Sequence, residues 1–199
     1  VWKPIRLEFQ NLFGYGGDVV NRVDFTTGVT CISAANARGK TSFVNILLFG
    51  IFGKTLLNPS GSSYTFDIVN TGYTNGYVKL LMNYGGEYYT IERKSVKKKT
   101  SSKAAMALLN NYEFTCNFWR SDETGALLEN LRDIKKKNTD TAIIDMFGDI
   151  SDFALSNLLN KESQVDLLTM TPSEQIRTLK RIFRLEIYDA YRDLNKKKQ

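Results

Sequence analysis

The sequence contains no histidine, and its 199 residues include only two cysteines, Cys31 and Cys116. A zinc site built from cysteine and histidine within this chain is therefore close to excluded, as is catalysis that depends on a histidine base. Two cysteines form no disulfide framework, which favours a reducing compartment. No apolar run reaches the roughly 18 residues that a membrane span needs, so we expect no membrane partner.

The chain is moderately basic. Its 27 Lys and Arg residues and 21 Asp and Glu residues give a formal net charge of +6. That balance mildly favours polyanionic partners such as nucleic acid or nucleotides. Hydrophobic residues make up 42% of the chain and charged residues 24%, which are ordinary values for a globular domain. The length predicts one large domain, or one domain with an appendage.

Alternating and β-branched patterns predict strands, and longer apolar patterns with caps predict helices. We predict strands over residues 5–9, 19–25, 29–33, 77–83, 88–94 and 113–119. We predict helices over residues 43–52 and 139–147, a helix capped by Ser151, and a continuous helix from Thr171 onward. The strand at 29–33 is expected to be buried, with Cys31 as a small apolar filler. Gly85 and Gly86 predict a hairpin turn between two of the strands.

The most specific motif spans residues 34–41, Ala-Ala-Asn-Ala-Arg-Gly-Lys-Thr. It fits the P-loop pattern G-x-x-x-x-G-K-[ST] at every fixed position except the first, where Ala34 replaces glycine. The context is the required one, because an apolar predicted strand precedes the loop and an apolar predicted helix follows it. In such a loop, backbone N–H groups and the helix dipole bind phosphate oxygens.

Residues of the loop have expected roles in binding ATP with Mg²⁺. Gly39 allows the backbone to approach the ligand, Lys40 reaches the β- and γ-phosphates, and the Thr41 hydroxyl ligates Mg²⁺. Lys40 is also an expected catalytic residue. The predicted nucleotide-binding residues are Asn36, Ala37, Arg38, Gly39, Lys40, Thr41 and Ser42.

Two other interpretations of the loop stay open. One is a chance strand–turn–helix, and the other is a decayed loop, because Ala34 and Ala37 each add a methyl group where glycine is usual. An alanine held at positive φ costs about 1 kcal/mol or more. The chain also shows no apolar strand ending in the carboxylate that hydrolysis needs, since the nearest candidate, 142–145, lies in a predicted helix. We therefore expect the N-terminal part of a longer protein.

Three stretches of the chain resemble one protein family. Residues 5–15 resemble its opening strand and asparagine-aromatic turn, and residues 36–42 with 48–53 resemble its P-loop and first helix. Residues 171–174 through 185–188, beginning Thr-Pro-Ser-Glu, resemble its helix that enters a coiled coil. The family is that of the SbcC-type DNA-repair proteins, relatives of the Rad-fifty repair ATPase within the broader structural-maintenance-of-chromosomes (SMC) class.

The resemblance implies an α/β fold, a P-loop NTPase of the ABC/SMC head type, with helices against a mixed sheet. A substantial antiparallel β portion is expected between residues 5 and 118. The implied domains are an N-terminal head lobe over residues 1–184 and the start of a coiled-coil helix over 185–199. ATP and Mg²⁺ are the implied cofactors. A catalytic Q-loop glutamine that positions Mg²⁺ and water is also implied, and Gln164 is its candidate, the alternative being a plain surface glutamine.

The same resemblance implies a function and a set of partners. The chain would be the ATP-binding part of a DNA repair or recombination ATPase, in the cytoplasm, nucleoid or nucleus. Its implied partners are the C-terminal lobe of the same protein, a second head in a homodimer, an SbcD-type nuclease and double-stranded DNA. Hydrolysis would need the C-terminal lobe and the second head. Two alternatives are an SMC-type chromosome-organising clamp without a nuclease and a basic DNA-binding module with a vestigial P-loop.

Overall fold

The structure is a computed structural model that describes residues 2–35, 39–55, 68–97, 112–131, 136–150, 153, 171–183, 185 and 188. Its strands are β1 (Trp2–Gln10), β2 (Asn21–Asp24), β3 (Asn75–Tyr84), β4 (Glu87–Lys97), β5 (Tyr112–Ser121) and β6 (Leu127–Asn130). Its helices are α1 (Lys40–Phe52), α2 (Lys136–Phe147) and α3 (Pro172–Ile182). The chain divides into two compact units, Val1–Ile144 and Asp145–Gln199, and the first contains the sheet and α1.

Six strands form one sheet in the order β2-β1-β3-β4-β5-β6, and each neighbouring pair is antiparallel. The strands predicted at 5–9, 19–25, 77–83, 88–94 and 113–119 are confirmed as β1 to β5, with shifted ends. Gly85 and Gly86 join β3 to β4 with φ values of +64° and +95°. Two consecutive positive φ values are typical of the type I′ hairpin turn, which explains why glycine occupies both positions.

One face of the sheet carries the core, and α1 packs on it. Leu80 of β3 lies opposite Leu7 of β1 and Ile91 of β4, and all three side chains are fully buried. Eight of the 13 residues of α1 are buried, which agrees with its apolar sequence. A Cβ atom on Gly50 would lie 3.3 Å from Val78, so the missing side chain lets α1 approach β3 closely.

The opposite face of the sheet is polar and balanced in charge. Arg6 lies opposite Asp24 and donates a hydrogen bond of 2.7 Å to its carboxylate, while Glu8 lies opposite both Arg22 and Lys79. The hydrogen bonds from Arg22 and Arg6 lower the pKa of Asp24 to about 2. Opposite charges on neighbouring strands stabilise the pairing modestly. Because the signs alternate, these residues form no basic patch.

The stretch 29–33 is the main departure from the predicted fold. These residues form no strand, and their side chains are exposed, Val29 by 95% and Ile32 by 43%. Cys31 is exposed as well, so the predictions of a buried strand and of Cys31 as a filler are wrong. No strand among the described residues pairs with this stretch. A lone strand cannot satisfy its backbone groups or bury its side chains. Because this stretch does not join the sheet, every described strand pair is antiparallel, and the predicted mixed sheet is not found among the described residues.

Two helices predicted after the sheet are present, α3 with its predicted start and α2 with a start three residues before the predicted one. The helix predicted at 139–147 is confirmed as α2, which contains the apolar run 142–145 and is followed by Gly148 with a φ of +82°. Of the helix predicted after Ser151, only Phe153 lies among the described residues, and it is helical. α3 begins at the predicted capping box. The Thr171 N–H donates to the Glu174 carboxylate at 3.0 Å, and the Glu174 N–H donates to the Thr171 hydroxyl at 3.4 Å.

α3 is shorter than the sequence pattern predicts. It ends at Ile182, and Phe183 and Leu185 lie in a turn, where the Leu185 N–H donates to the Lys180 carbonyl at 2.7 Å. This bond is typical of a helix C-terminus, so the prediction of a continuous helix from Thr171 is wrong at this turn. The predicted coiled coil over 185–199 lies almost entirely outside the described residues, and its boundary stays a prediction. No helix in the described part of the chain is long and apolar enough to cross a membrane.

Candidate nucleotide-binding site

The candidate site lies at the start of α1, which confirms the helix predicted after the loop. α1 begins at Lys40, and Gly39 before it has a left-handed conformation with a φ of +88°. Among the described residues, no side chain caps this helix start, and its first turn contains no acidic residue. The N–H groups of the first turn and the positive end of the helix dipole can therefore bind an anion.

The side chain of Lys40 folds back over the beginning of the loop. Its Nζ donates hydrogen bonds to the carbonyl oxygens of Ala34, at 2.6 Å, and Ala35, at 2.9 Å. An ammonium group has three donor hydrogens, and these two carbonyls take two of them. The contacts hold the positive charge beside the loop, where it is within reach of a phosphate bound at the helix start.

The first turn of α1 also supplies hydroxyl groups. Thr41 is exposed there, and its carbonyl accepts a hydrogen bond of 2.9 Å from the buried Asn45 side chain, which fixes the backbone of this turn. Ser42 follows it in the same turn. The described residues include no group of three or more His, Cys, Asp or Glu residues arranged to hold a metal. A Mg²⁺ ion here would therefore depend on the Thr41 hydroxyl, phosphate oxygens and water, which suits its preference for oxygen ligands.

Several predicted site residues lie outside the described residues, and their roles stay predictions. They are Asn36, Ala37, Arg38 and Gln164. The structure brings the flanking residues of the loop together, because the Lys40 ammonium at the loop's end contacts the carbonyls at its beginning.

The turn that follows β1 also contacts the loop. The Tyr15 hydroxyl donates a hydrogen bond of 3.2 Å to the Gly39 carbonyl. The ring lies against the same glycine, since a Cβ atom on Gly39 would be 3.2 to 3.3 Å from Tyr15 atoms. The Tyr15 ring packs edge-to-face on Phe9 of β1, with 5.0 Å between centroids. This contact was not predicted, and the only signal for it in the sequence was the asparagine-aromatic turn.

This turn has an unusual backbone. Asn11, Phe13 and Asp18 have φ values of +53°, +50° and +53°. A bulky residue such as phenylalanine rarely adopts such a conformation, and each instance costs on the order of 1–3 kcal/mol. The Phe13 N–H donates to the Ile68 carbonyl at 2.7 Å, and the Asn70 side chain donates to the Phe13 carbonyl at 2.6 Å. These bonds hold the turn in place against its strain.

The far end of α1 is fixed by a buried arginine that the sequence pattern did not reveal. Arg93 of β4 is only 3% exposed, and its guanidinium donates to the carbonyls of Gly50, at 3.0 Å, and Ile51, at 2.7 Å. It also pairs with Asp140 of α2 at 2.7 Å. The last carbonyls of a helix have no partner within the helix, so a cation there supplies both hydrogen bonds and favourable dipole electrostatics. Gly53 leaves room for it, because a Cβ atom there would lie 2.9 Å from the guanidinium.

Comparison with protein families gives the class to which this site belongs. A family described as an AAA domain matches residues 6–199 of the chain. The chain therefore belongs to this family of P-loop ATPase domains, which is found in SMC-like and Rad-fifty-like proteins. Membership agrees with the helix start, the glycine and the lysine described above, and it identifies a nucleotide-binding domain.

One protein to which the chain is similar in sequence comes from a virus. The chain is 26% identical, over 201 aligned residues, to an uncharacterised protein of Acanthamoeba polyphaga mimivirus. The alignment covers 99% of this chain but only 14% of that protein. The chain thus spans a small fraction of the length of its viral relative.

Proposed function

We propose that the chain is the N-terminal ATP-binding segment of an SbcC-like DNA repair or recombination ATPase with an ABC/SMC-type head. The arrangement at the start of α1 carries this proposal, because Gly39, Lys40 and Thr41 follow one another at a helix start in the order that the P-loop pattern requires. The family match over residues 6–199 supports nucleotide binding. The choice of SbcC-like proteins within that family rests on the resemblance, including the capping box at Thr171.

In this proposal the chain's own groups bind the triphosphate. The N–H groups of the first turn of α1 donate to phosphate oxygens, and Lys40 exchanges its contacts with Ala34 and Ala35 for the β- and γ-phosphates. The Thr41 hydroxyl would hold Mg²⁺, and the bound ion would neutralise charge on the phosphate oxygens. These interactions account for binding but not for hydrolysis.

Hydrolysis in this proposal depends on parts of the protein outside these residues. The apolar run 142–145 lies within a helix, so it does not form the strand that normally presents a catalytic carboxylate. The exposed stretch 29–33 leads directly into the loop and has no strand partner among the described residues. We expect a C-terminal lobe to supply that partner and the carboxylate, and a second head to complete the site. The 199-residue chain alone should therefore show no appreciable ATPase activity.

The DNA and nuclease partners are the most specific part of the proposal. The polar face of the sheet alternates in sign, so it offers no continuous surface to a phosphate backbone. The lysine clusters at 97–99, 135–137 and 196–198 are the candidates for DNA contact. The favoured alternative for any one of them is a solvated loop, or the polar face of the coiled coil for 196–198. An SMC-type clamp without a nuclease is the alternative. The remaining open reading frame separates the two, because a short zinc-hook apex supports the repair protein and a globular hinge supports the clamp.

The decisive experiment is titration of the full-length protein with ATP and Mg²⁺ by calorimetry. Lys40→Ala should abolish binding while leaving the fold intact, because it removes the charge that meets the β- and γ-phosphates. Lys54→Ala is the matched control, since Lys54 is exposed just after the other end of α1, about 20 Å along the helix. Equal affinity of parent and Lys40→Ala would contradict the proposal. A parent that binds no ATP would favour the vestigial P-loop.

A further inference from the structure

The carbonyl of Gly39 accepts two hydrogen bonds. The Phe43 N–H donates to it at 3.0 Å as the first bond of α1, and the Tyr15 hydroxyl donates to it at 3.2 Å. A carbonyl oxygen has two lone pairs, so these donors use its full capacity. The direction of this carbonyl is therefore set both by the helix and by a residue 24 positions earlier in the chain.

The direction of that carbonyl determines the direction of the next N–H group. The peptide between Gly39 and Lys40 is planar and trans, so the Lys40 N–H points away from the Gly39 carbonyl. This N–H is one of the first donors of α1, which have no partner within the helix. A hydrogen bond that fixes the Gly39 carbonyl thus aims a donor at the position of a bound phosphate.

The Tyr15 side chain also restricts Gly39 sterically. Its hydroxyl and ring occupy the space that a side chain on Gly39 would need, at 3.2 to 3.3 Å from the position of a Cβ atom. The backbone at Gly39 has a φ of +88°, which residues with a side chain rarely adopt. Contact with the ring and positive φ both require glycine here, and the ring limits how far this glycine can move.

Tyr15 itself is held firmly. Its ring packs edge-to-face on the buried Phe9, and Phe9 packs on Phe43 of α1 with 6.2 Å between centroids. The Tyr15 N–H donates to the Leu12 carbonyl at 2.9 Å within the strained turn. The Asn70 side chain anchors this turn by donating a hydrogen bond to the Phe13 carbonyl. A strained conformation that is held by several bonds at a ligand site indicates a functional requirement.

We propose that Tyr15 is a positioning residue for the phosphate-binding loop, which orients the Gly39–Lys40 peptide so that its N–H meets a nucleotide phosphate. The proposal rests on the proposed nucleotide-binding function and adds a residue outside the loop to it. Tyr15 does not need to touch the nucleotide, because it acts through the Gly39 carbonyl.

The test uses the full-length protein with Tyr15→Phe, which keeps the ring and removes only the hydroxyl. We expect the dissociation constants for Mg²⁺–ATP and for ADP to rise about five-fold, the typical worth of one hydrogen bond. The ³¹P resonance of the β-phosphate of bound ADP should also shift, which a merely structural role would not cause. The matched control is Tyr89→Phe, which removes a hydroxyl that donates to Glu87 on the sheet, and it should leave both measurements unchanged.

Three outcomes are decisive. Weaker binding and a shifted ³¹P resonance in Tyr15→Phe alone, with a thermal unfolding midpoint equal to that of Tyr89→Phe, support the positioning role. Unchanged affinity and an unchanged resonance in Tyr15→Phe overturn it, while loss of binding in Lys40→Ala would leave the nucleotide-binding function standing. A parent protein that binds neither ATP nor ADP overturns both proposals.

Discussion

The strands of the antiparallel sheet and the stretch 29–33 are similar in composition, but the strands are paired and the stretch is not. Both are rich in β-branched and apolar residues, yet Ile91 in β4 is fully buried and Val29 is 95% exposed. The sheet surrounds Ile91 with β3 and β5, whereas no described strand lies beside Val29. The difference shows that strand propensity alone does not make a strand, because pairing and burial supply most of its stability.

The two regions also differ in where their partners lie along the chain. β3 and β4 are joined by a two-glycine turn, so their pairing closes a short loop at little entropic cost. A strand that leads into a P-loop belongs to a parallel sheet in α/β proteins, and parallel strands need long connections. The six described strands pair with one another, whereas the stretch 29–33 has no partner among them, and we propose that it pairs with a strand from another part of the protein.

The largest expected effect is the cost of truncating the sheet core. Ile91→Ala should lower the free energy of unfolding of the 199-residue chain by about 4 kcal/mol, because it leaves a cavity where a fully buried side chain was. Ile32→Ala makes the same chemical change in the exposed stretch and should alter stability by less than about 0.5 kcal/mol. Urea denaturation of both variants measures the comparison. Equal costs would mean that the stretch 29–33 is packed and that the contrast is false.

The second-largest effect concerns the C-terminal end of α1, where Arg93 of β4 binds the last carbonyls of the helix. It tests how strongly the sheet fixes the helix that packs on it. Arg93→Ala should cost about 2–3 kcal/mol, since it leaves the Gly50 and Ile51 carbonyls without their donor and Asp140 without its partner. Lys94→Ala removes a neighbouring, half-exposed charge and is the control, with an expected cost below about 1 kcal/mol. Urea denaturation again provides the measurement. A harmless Arg93→Ala would show that α1 is fixed without this residue.

The smallest effect concerns the start of α3. Its capping hydrogen bonds join Thr171 and Glu174, which are three residues apart, and they do not involve the sheet. Hydrogen bonds from the Thr171 hydroxyl and N–H lower the pKa of Glu174. A lowered pKa means that this cap stabilises the helix above the ordinary glutamate pKa of about 4.3 and that its contribution is lost as pH falls through the folded value. NMR titration of the Glu174 carboxyl should show the lowered midpoint, and Thr171→Ala should move it toward the ordinary value, because the hydroxyl is removed while the backbone N–H remains. An unchanged midpoint in Thr171→Ala would contradict the capping box.

Local patterns predicted much of the fold. The alternation along β1, β3, β4 and β5, the glycine pair between β3 and β4 and the capping box of α3 are encoded within a few residues, and the structure confirms them. The end of α3 was not predicted, because its apolar stripe continues past the turn at Phe183 and Leu185. Periodicity shows which side chains would share a helix face, but it does not show where the helix ends.

The candidate site was predicted only in part. The motif identified Gly39, Lys40 and Thr41, since a phosphate-binding loop needs these residue types in this order. It did not reveal Tyr15 or Arg93, because each reaches its partner across more than 20 residues of chain through a hydrogen bond to a backbone carbonyl. Any residue type presents such a carbonyl, so the sequence carries no mark of the acceptor.

The central proposal is that residues 29–33, which form no strand here, become a paired strand when a further part of the protein is present. Hydrogen exchange over residues 29–35 tests it directly, in the 199-residue chain and in the full-length protein. The account predicts rapid exchange in the short chain, as fast as in a lone exposed segment, and strong protection in the full-length protein. Rapid exchange in both proteins would contradict the claim, because it would show that no strand pairs with this stretch.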